Sequence, residues 1–217
     1  MTTDLPLTVR YADDAIAIVD KPSGLPTQNT RNPKQAHLYQ YVLDRFPNAS
    51  LHHRLDTPSS GLVLFTVNPA VNKRIASAFR NHTIDRRYLA VLVGDPGPNG
   101  TWTDAIDGKT ATTHFERIGQ RDGMSLIEAR LETGRTHQIR IHASKAGHPI
   151  VGDRRHGGAA GRLWSRLALH AVSLSLTHPT TQQTLRVCSP VPKDLSALMG
   201  SLGSDLDHRY SPTIEAD

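Results

Sequence analysis

The chain has a single cysteine, Cys188, so no internal disulfide can form, and a reducing compartment such as the cytoplasm fits that usage. Aromatic residues make up only 5% of the 217 residues, which argues against an open base-stacking platform of the RRM or OB kind. No apolar run approaches the roughly 20 residues that a membrane-spanning helix needs. Met1 to Pro6 lack the basic and apolar regions of an export signal. There is no internal repeat and no nucleotide-binding or metal-binding motif. His137, His142 and His148 lie close in sequence, but an i, i+5 pair on a helix does not converge on a metal.

Basic residues are in modest excess. Lys and Arg total 25 against 20 Asp and Glu, a formal charge of +5 before any of the twelve histidines is counted. The isoelectric point is about 9.6. This balance favours a polyanionic partner without proving one. A chain of this length can bury a core in one large domain or two small lobes.

The hydrophobic pattern predicts strands over 15–19, 62–67, 88–93, 125–131, 167–177 and 185–188. His178-Pro179-Thr180-Thr181 reads as the turn of a hairpin joining the last two. Helices are predicted over 35–46, 69–81 and 136–146, the last with Thr136 as N-cap and Gly147 as C-cap. Asp95-Pro96-Gly97-Pro98-Asn99-Gly100 is a strong breaker. Strands outnumber helices and follow one another, which argues for an α+β fold with a mixed, largely antiparallel central sheet flanked by helices and loops. The segment from Ser201 on is polar and reads as a poorly ordered tail.

Three segments carry residues suited to chemistry. His53-Arg54-Leu55-Asp56-Thr57-Pro58-Ser59-Ser60-Gly61 holds a carboxylate on a tight loop ahead of an apolar strand, where rigid backbone keeps it exposed. Such an Asp suits a nucleophile or general base, although taken alone it more often caps a turn. Arg54 and Asp56, two apart, face the same side if the chain is extended. Around Gly134, a sharp turn sets Arg135 at a helix start, where free N–H groups and the helix dipole favour an anion. Arg140, five residues on, is expected to point elsewhere, toward a polyanion or a surface acid. Arg86-Arg87-Tyr88 opens an apolar strand, so Tyr88 either packs in the core or stacks on a base beside a phosphate.

Taken together, these segments resemble the motifs of the RluA family of RNA pseudouridine synthases. His53 to Gly61 is similar to its catalytic motif, with Ser59 in place of the usual Thr and a loop stiffened by Thr57-Pro58. Tyr88-x-Ala90-x-x-x-Gly94 resembles its tyrosine motif, and Thr133 to Arg140 its arginine motif. Asp20-Lys21-Pro22-Ser23-Gly24-Leu25, Gly147 to Asp153, Leu169-His170-Ala171 and Thr177-His178-Pro179 also match family segments in order.

The resemblance implies one catalytic domain over 8–200 and no separate N-terminal RNA-binding domain. It implies isomerisation of uridine to pseudouridine in structured transfer or ribosomal RNA by an enzyme that flips the base, with no cofactor or metal; a monomer is the default expectation, and no membrane is expected. Asp56 is then the catalytic carboxylate, attacking C1′ or removing the C2′ proton. Arg135 pairs with it, and Tyr88 stacks on the uracil. Arg54 fills the gap in the RNA stack. Ile150 or Val151 lies behind the base, His53 and Arg140 join the substrate contacts, and Arg74, Arg80, Arg86 and Arg87 are phosphate candidates.

Two other readings keep the same residues. One is a non-catalytic RNA-binding or chaperone protein, which loss of Asp56, Tyr88 or Arg135 would favour; all three are present. The other is a hydrolase with Asp56 and Glu132 as a carboxylate pair, which needs both to face one pocket about 5–10 Å apart.

Overall fold

The computed structural model describes residues 7–203, 206–210 and 214–216. It opens with β1 (Thr8–Ala12), β2 (Ile16–Lys21), α1 (Leu38–Arg45), β3 (Ser50–Leu51) and β4 (Ser60–Thr66). After a 3₁₀ turn at Pro69–Val71 come α2 (Asn72–Arg80), β5 (Asp85–Val93), β6 (Asn99–Trp102), β7 (Thr113–Arg121), β8 (Met124–Leu131) and α3 (Gln138–Lys145). The chain then makes a 3₁₀ turn at Gly158–Arg162, followed by β9 (Leu169–Thr177), β10 (Thr184–Cys188), α4 (Lys193–Gly200), α5 (Leu206–Arg209) and β11 (Ile214–Ala216). All the predicted strands and helices are present, and β9 and β10 form the expected antiparallel hairpin. Among the described residues, no helix is long and apolar enough to cross a membrane.

The strands form one mixed sheet in the order β1-β2-β4-β9-β5-β8-β7-β6, with β10 also on β9. Among the described residues only the β4–β9 pairing is parallel; the other pairings are antiparallel. Strand β4 is buried at every position because it is covered on both faces, which is why it reads as an unbroken apolar run. Its side chains divide with period two: Val63 and Phe65 enter one core cluster, Leu62 and Leu64 the other.

Strand β9 brings the site together. Ala171 faces Gly61 on one side and Tyr88 on the other. The loop bearing Asp56 and the start of β5 therefore flank one residue. Gly61 has φ +111°, and a Cβ there would lie 2.2 Å from the Ala171 carbonyl oxygen, so only glycine permits this approach. Tyr88 is also opposite Ala129 on β8, which runs directly into the loop before α3.

The described residues beyond Ser201 are packed rather than loose. Leu202, Leu206 and Tyr210 are buried in the larger core cluster. Tyr210 donates its hydroxyl hydrogen bond to Glu128, and β11 pairs with β10. The tail expected there is therefore corrected for these residues; 204, 205, 211–213 and 217 lie outside the described residues, as do Met1 to Pro6.

Candidate active site

An open cleft of about 740 Å³ is lined by Asp56, Tyr88, Arg54, Arg135, Arg140 and neighbouring residues. Its size is in the range of small-ligand sites. The segments bearing Asp56 and Tyr88 meet through β9, and the segment bearing Arg135 joins them from the end of β8.

Asp56 sits with its side chain 22% exposed, and its partner is Arg140, whose Nη1 donates to Asp56 Oδ2 at 3.0 Å. This corrects the pairing expected of Arg135. Helix α3 begins at Gln138, so Arg135 lies in the loop outside it and Arg140 occupies its first turn, facing inward. Arg135 instead donates from Nε to the Thr110 carbonyl at 3.0 Å on the half-exposed wall of the cleft. The expected Thr136 cap is also displaced: His137 takes the N-cap position in the left-handed region, φ 57°.

Gln138 explains that geometry. Its side chain accepts from Thr133 Oγ1 and the Arg135 N–H, and donates to Thr112 O and Thr113 Oγ1. These four bonds hold the 133–135 loop against β7 and fix where the helix starts. A strained, non-glycine backbone of this kind persists only when its surroundings over-determine it.

Arg140 is itself held. Nε and Nη2 donate to the two oxygens of Asp153, both at 2.8 Å, and only 4% of Arg140 and 1% of Asp153 is exposed. The Arg155 and His156 N–H groups also donate to Asp153 Oδ1. Burial pulls the Arg140 guanidinium down, but its bonds to Asp153 and Asp56 more than offset this and leave it raised. Burial pushes the Asp153 carboxyl up, and Arg140 with the two N–H donors brings it below the ordinary range. Asp153 closes the Gly147 to Asp153 segment, and its thirteen-residue separation from Arg140 carries no sequence signal that the two side chains meet.

His137 places Nε2 3.8 Å from Asp56 Oδ1 and shares a hydrogen bond of 2.9 Å between its Nδ1 and His156 Nε2. Burial lowers both histidines. If His156 donates, His137 turns an Nε2–H toward the carboxylate without adding charge.

Tyr88 lines the cleft and is only 6% exposed. Burial raises its phenol, Arg86 opposes this and Asp56 adds to it, so the hydroxyl keeps its proton at neutral pH. The apolar wall is made of Leu131, Ile139 and Leu169. Ile150 and Val151 are fully buried outside the cleft lining: Val151 N–H donates to Val91 O and Ile150 bridges Leu92. They brace the back of β5 because their backbone is taken into the sheet, which corrects their expected place behind the base.

His53 is built into the wall. Its Nε2 accepts from the Leu64 N–H at 2.8 Å, and its ring packs 4.9 Å from Phe79. Burial first, then the Arg86 and His52 charges, lower it to about 3, so it stays neutral as the acceptor role requires. Arg54 is exposed at the mouth. Glu132 is exposed, lies against His114 at 3.3 Å and does not line the cleft, so the carboxylate-pair reading gains no support.

Lys21 organises the loop from behind. Only 1% exposed, it donates to the carbonyls of Pro22, Leu25, Thr57 and Ser59 at 2.6–3.1 Å. Burial, then the charge of Arg166, lowers its ammonium to about 7, while Asp56 acts in the other direction. Among the described residues, no three His, Cys, Asp or Glu side chains converge as they would on a metal ion.

The same segments are matched in known proteins. A family profile described as RNA pseudouridylate synthase matches residues 15–145. The chain is 34% identical to ribosomal large subunit pseudouridine synthase D of Xanthomonas campestris, over 93% of this chain and 71% of that protein. It is 33% identical to the uncharacterized RNA pseudouridine synthase YjbO of Bacillus subtilis, over 90% and 76%. Among solved structures, human RNA pseudouridylate synthase domain containing 1 superposes with a TM-score of 0.76 at 26% identity, covering 94% of this chain and 90% of the other. The chain belongs to the RNA pseudouridylate synthase family, isomerases that convert uridine in RNA to pseudouridine.

Proposed function

We propose that the cleft isomerises a uridine flipped out of structured ribosomal RNA, with Asp56 as the catalytic carboxylate and Arg140 as the residue that positions it. The observation that carries this is the 3.0 Å bond from Arg140 to Asp56 in a cleft that also holds Tyr88. The guanidinium supplies charge opposite to the carboxylate and fixes one of its oxygens. The other oxygen faces His137 and the open cleft.

Reaction and balance follow from the substrate. The N1–C1′ bond breaks, the uracil turns, C5 bonds to C1′, the C5 proton leaves and N1 gains one. Asp56 either attacks C1′ or removes the C2′ proton. Nothing is oxidised or reduced, and no cofactor is called for. Tyr88 packs on the uracil and, still protonated, serves there as a hydrogen-bond donor, while the C5 proton passes to water in the open cleft. Leu131, Ile139 and Leu169 supply the apolar back of the pocket. A base inside a helix must leave the stack to reach Asp56, and Arg54, exposed at the mouth, fills the space it vacates.

The relatives named for the large ribosomal subunit favour ribosomal over transfer RNA as substrate. A monomer in the cytoplasm is the simplest form consistent with one free cysteine and a single-chain cleft. The test is to map pseudouridines in total RNA from a strain lacking this gene, then add back wild type or Asp56→Asn. One or more sites should return with wild type only. Turnover by Asp56→Asn would remove the carboxylate from the mechanism, and restored sites confined to transfer RNA would overturn the substrate assignment.

A further inference from the structure

The four arginines that the sequence offers as phosphate contacts differ sharply in the structure. Arg87 is engaged by Asp85 at 2.7 Å and Glu128 at 2.9 Å. Arg74 donates to the Pro179 carbonyl, and Arg80 is exposed at the cleft rim. Arg86 is 8% exposed, lines the cleft, and makes no ion pair with any described acid. Its one hydrogen bond runs from Nη2 to the Thr133 carbonyl at 3.3 Å, and its Nε is buried without a partner. The guanidinium lies over the Phe79 ring at 5.7 Å. A Cβ at Gly134 would come within 2.9 Å of Nη1, so the turn glycine keeps space open beside it.

A guanidinium holds its charge in proteins, and leaving it buried without a counter-charge costs folding stability. Such a group is best explained by an anion that arrives with the ligand. Arg86 stands two residues before Tyr88 on the same strand and faces the same cleft. We propose that Arg86 binds a backbone phosphate of the RNA beside the uridine that Tyr88 receives. A uracil carbonyl is the weaker fit, because a neutral acceptor leaves the buried charge uncompensated. Asp56, the acid of the cleft, is already taken by Arg140.

This inference rests on the RNA reading above and is tested separately from it. Wild type, Arg86→Met and Arg86→Lys are compared for melting temperature and for the half-saturating concentration of total RNA from a strain lacking this gene, at several salt concentrations. Arg86→Met should melt at or above the wild-type temperature and require about tenfold more RNA. Its log–log salt slope should be shallower by about 0.7 to 0.9, the share of one phosphate. Arg86→Lys should recover the slope and most of the affinity. An unchanged half-saturation in Arg86→Met overturns the proposal, whatever its melting temperature. If Arg86→Met both melts lower and binds worse, recovery by Arg86→Lys supports the phosphate contact and its absence overturns it. Absence of wild-type turnover sinks the isomerase reading alone; filter binding of the same RNA then decides Arg86 by the same comparison.

Discussion

Arg140 reaches Asp56 at 3.0 Å with the one arm that Asp153 leaves free. The guanidinium is gripped by both oxygens of a buried carboxylate at 2.8 Å, so it is oriented before any substrate arrives. Preorganisation of this kind costs nothing at the moment of reaction.

Arg140→Met should therefore lose both activity and stability. It strands Asp153 in the interior, which costs about 3–5 kcal/mol. Arg135→Ala should leave the melting temperature nearly unchanged and keep turnover at saturating RNA within about tenfold of wild type, since it breaks one hydrogen bond on a half-exposed wall. Single-turnover rates and urea melts of the two variants check the assignment; a severe loss of rate in Arg135→Ala alone would return the pairing role to that residue.

Gly61→Ala tests the β4–β9 junction. The added methyl would meet the Ala171 carbonyl at 2.2 Å on a backbone with φ +111°. Clash and backbone strain together should lower stability by at least about 3 kcal/mol. Denaturant midpoints measure this directly, and an unperturbed midpoint would mean that the strands can separate without cost.

His53 and His170 should make the fold acid-sensitive. Burial lowers them to about 3 and about 4 from an ordinary 6.5, aided at His53 by the Arg86 and His52 charges and opposed at His170 by Asp20. Above pH 6.5 both are neutral whether the chain is folded or not, and they have no effect on stability. As pH falls through 6.5 the unfolded chain takes up protons that the folded chain refuses, so stability drops until the folded values are reached. Each contributes about 1.4 kcal/mol per pH unit within its window. Urea unfolding between pH 7 and 4 should show this slope, and His53→Asn should reduce it by one proton; an unchanged slope would contradict the neutral acceptor role at Leu64 N–H.

Lys21→Met removes the ammonium donor from the carbonyls of Pro22, Leu25, Thr57 and Ser59, of which Thr57 keeps the Gly24 N–H. Unsatisfied buried groups cost about 1–3 kcal/mol each, so even partial rearrangement should leave a loss of about 3 kcal/mol. Because two of the four belong to the loop that carries Asp56, turnover should fall further than the folded fraction explains. Hydrogen exchange over residues 55–60 would locate the loosening, and unaltered protection there would separate Lys21 from the loop.

Much of the sheet was legible because its inner strands are apolar on one or both faces. Strands β2, β4, β5 and β9 read clearly for this reason. Strand β7, with Glu116, Arg117, Gln120 and Arg121 among its residues, has a partly solvated face and forms through its pairing with β8 and β6. The tail misled for a related reason: Leu202, Leu206 and Tyr210 are spaced four apart in a polar background, a stripe whose burial depends on a core built elsewhere.

The segments bearing Asp56 and Tyr88, one just ahead of β4 and one within β5, stood out in the sequence because each adjoins an apolar strand. The choice between Arg135 and Arg140 turned on where α3 begins. That depends on the bonds of Gln138 and the left-handed backbone at His137, which no local pattern reveals.

Ala171 touches the strand after Asp56 on one edge and Tyr88 on the other, through main-chain pairing alone. The separation of Asp56 and Tyr88 across the cleft is thus tied to strand spacing. Loops at the cleft mouth, such as the one bearing Gln28, Asn29 and Thr30, lie outside that ruler. The mouth can therefore change while the spacing of Asp56 and Tyr88 stays constant, and an engineered change of target should begin at the mouth and leave the three paired strands untouched.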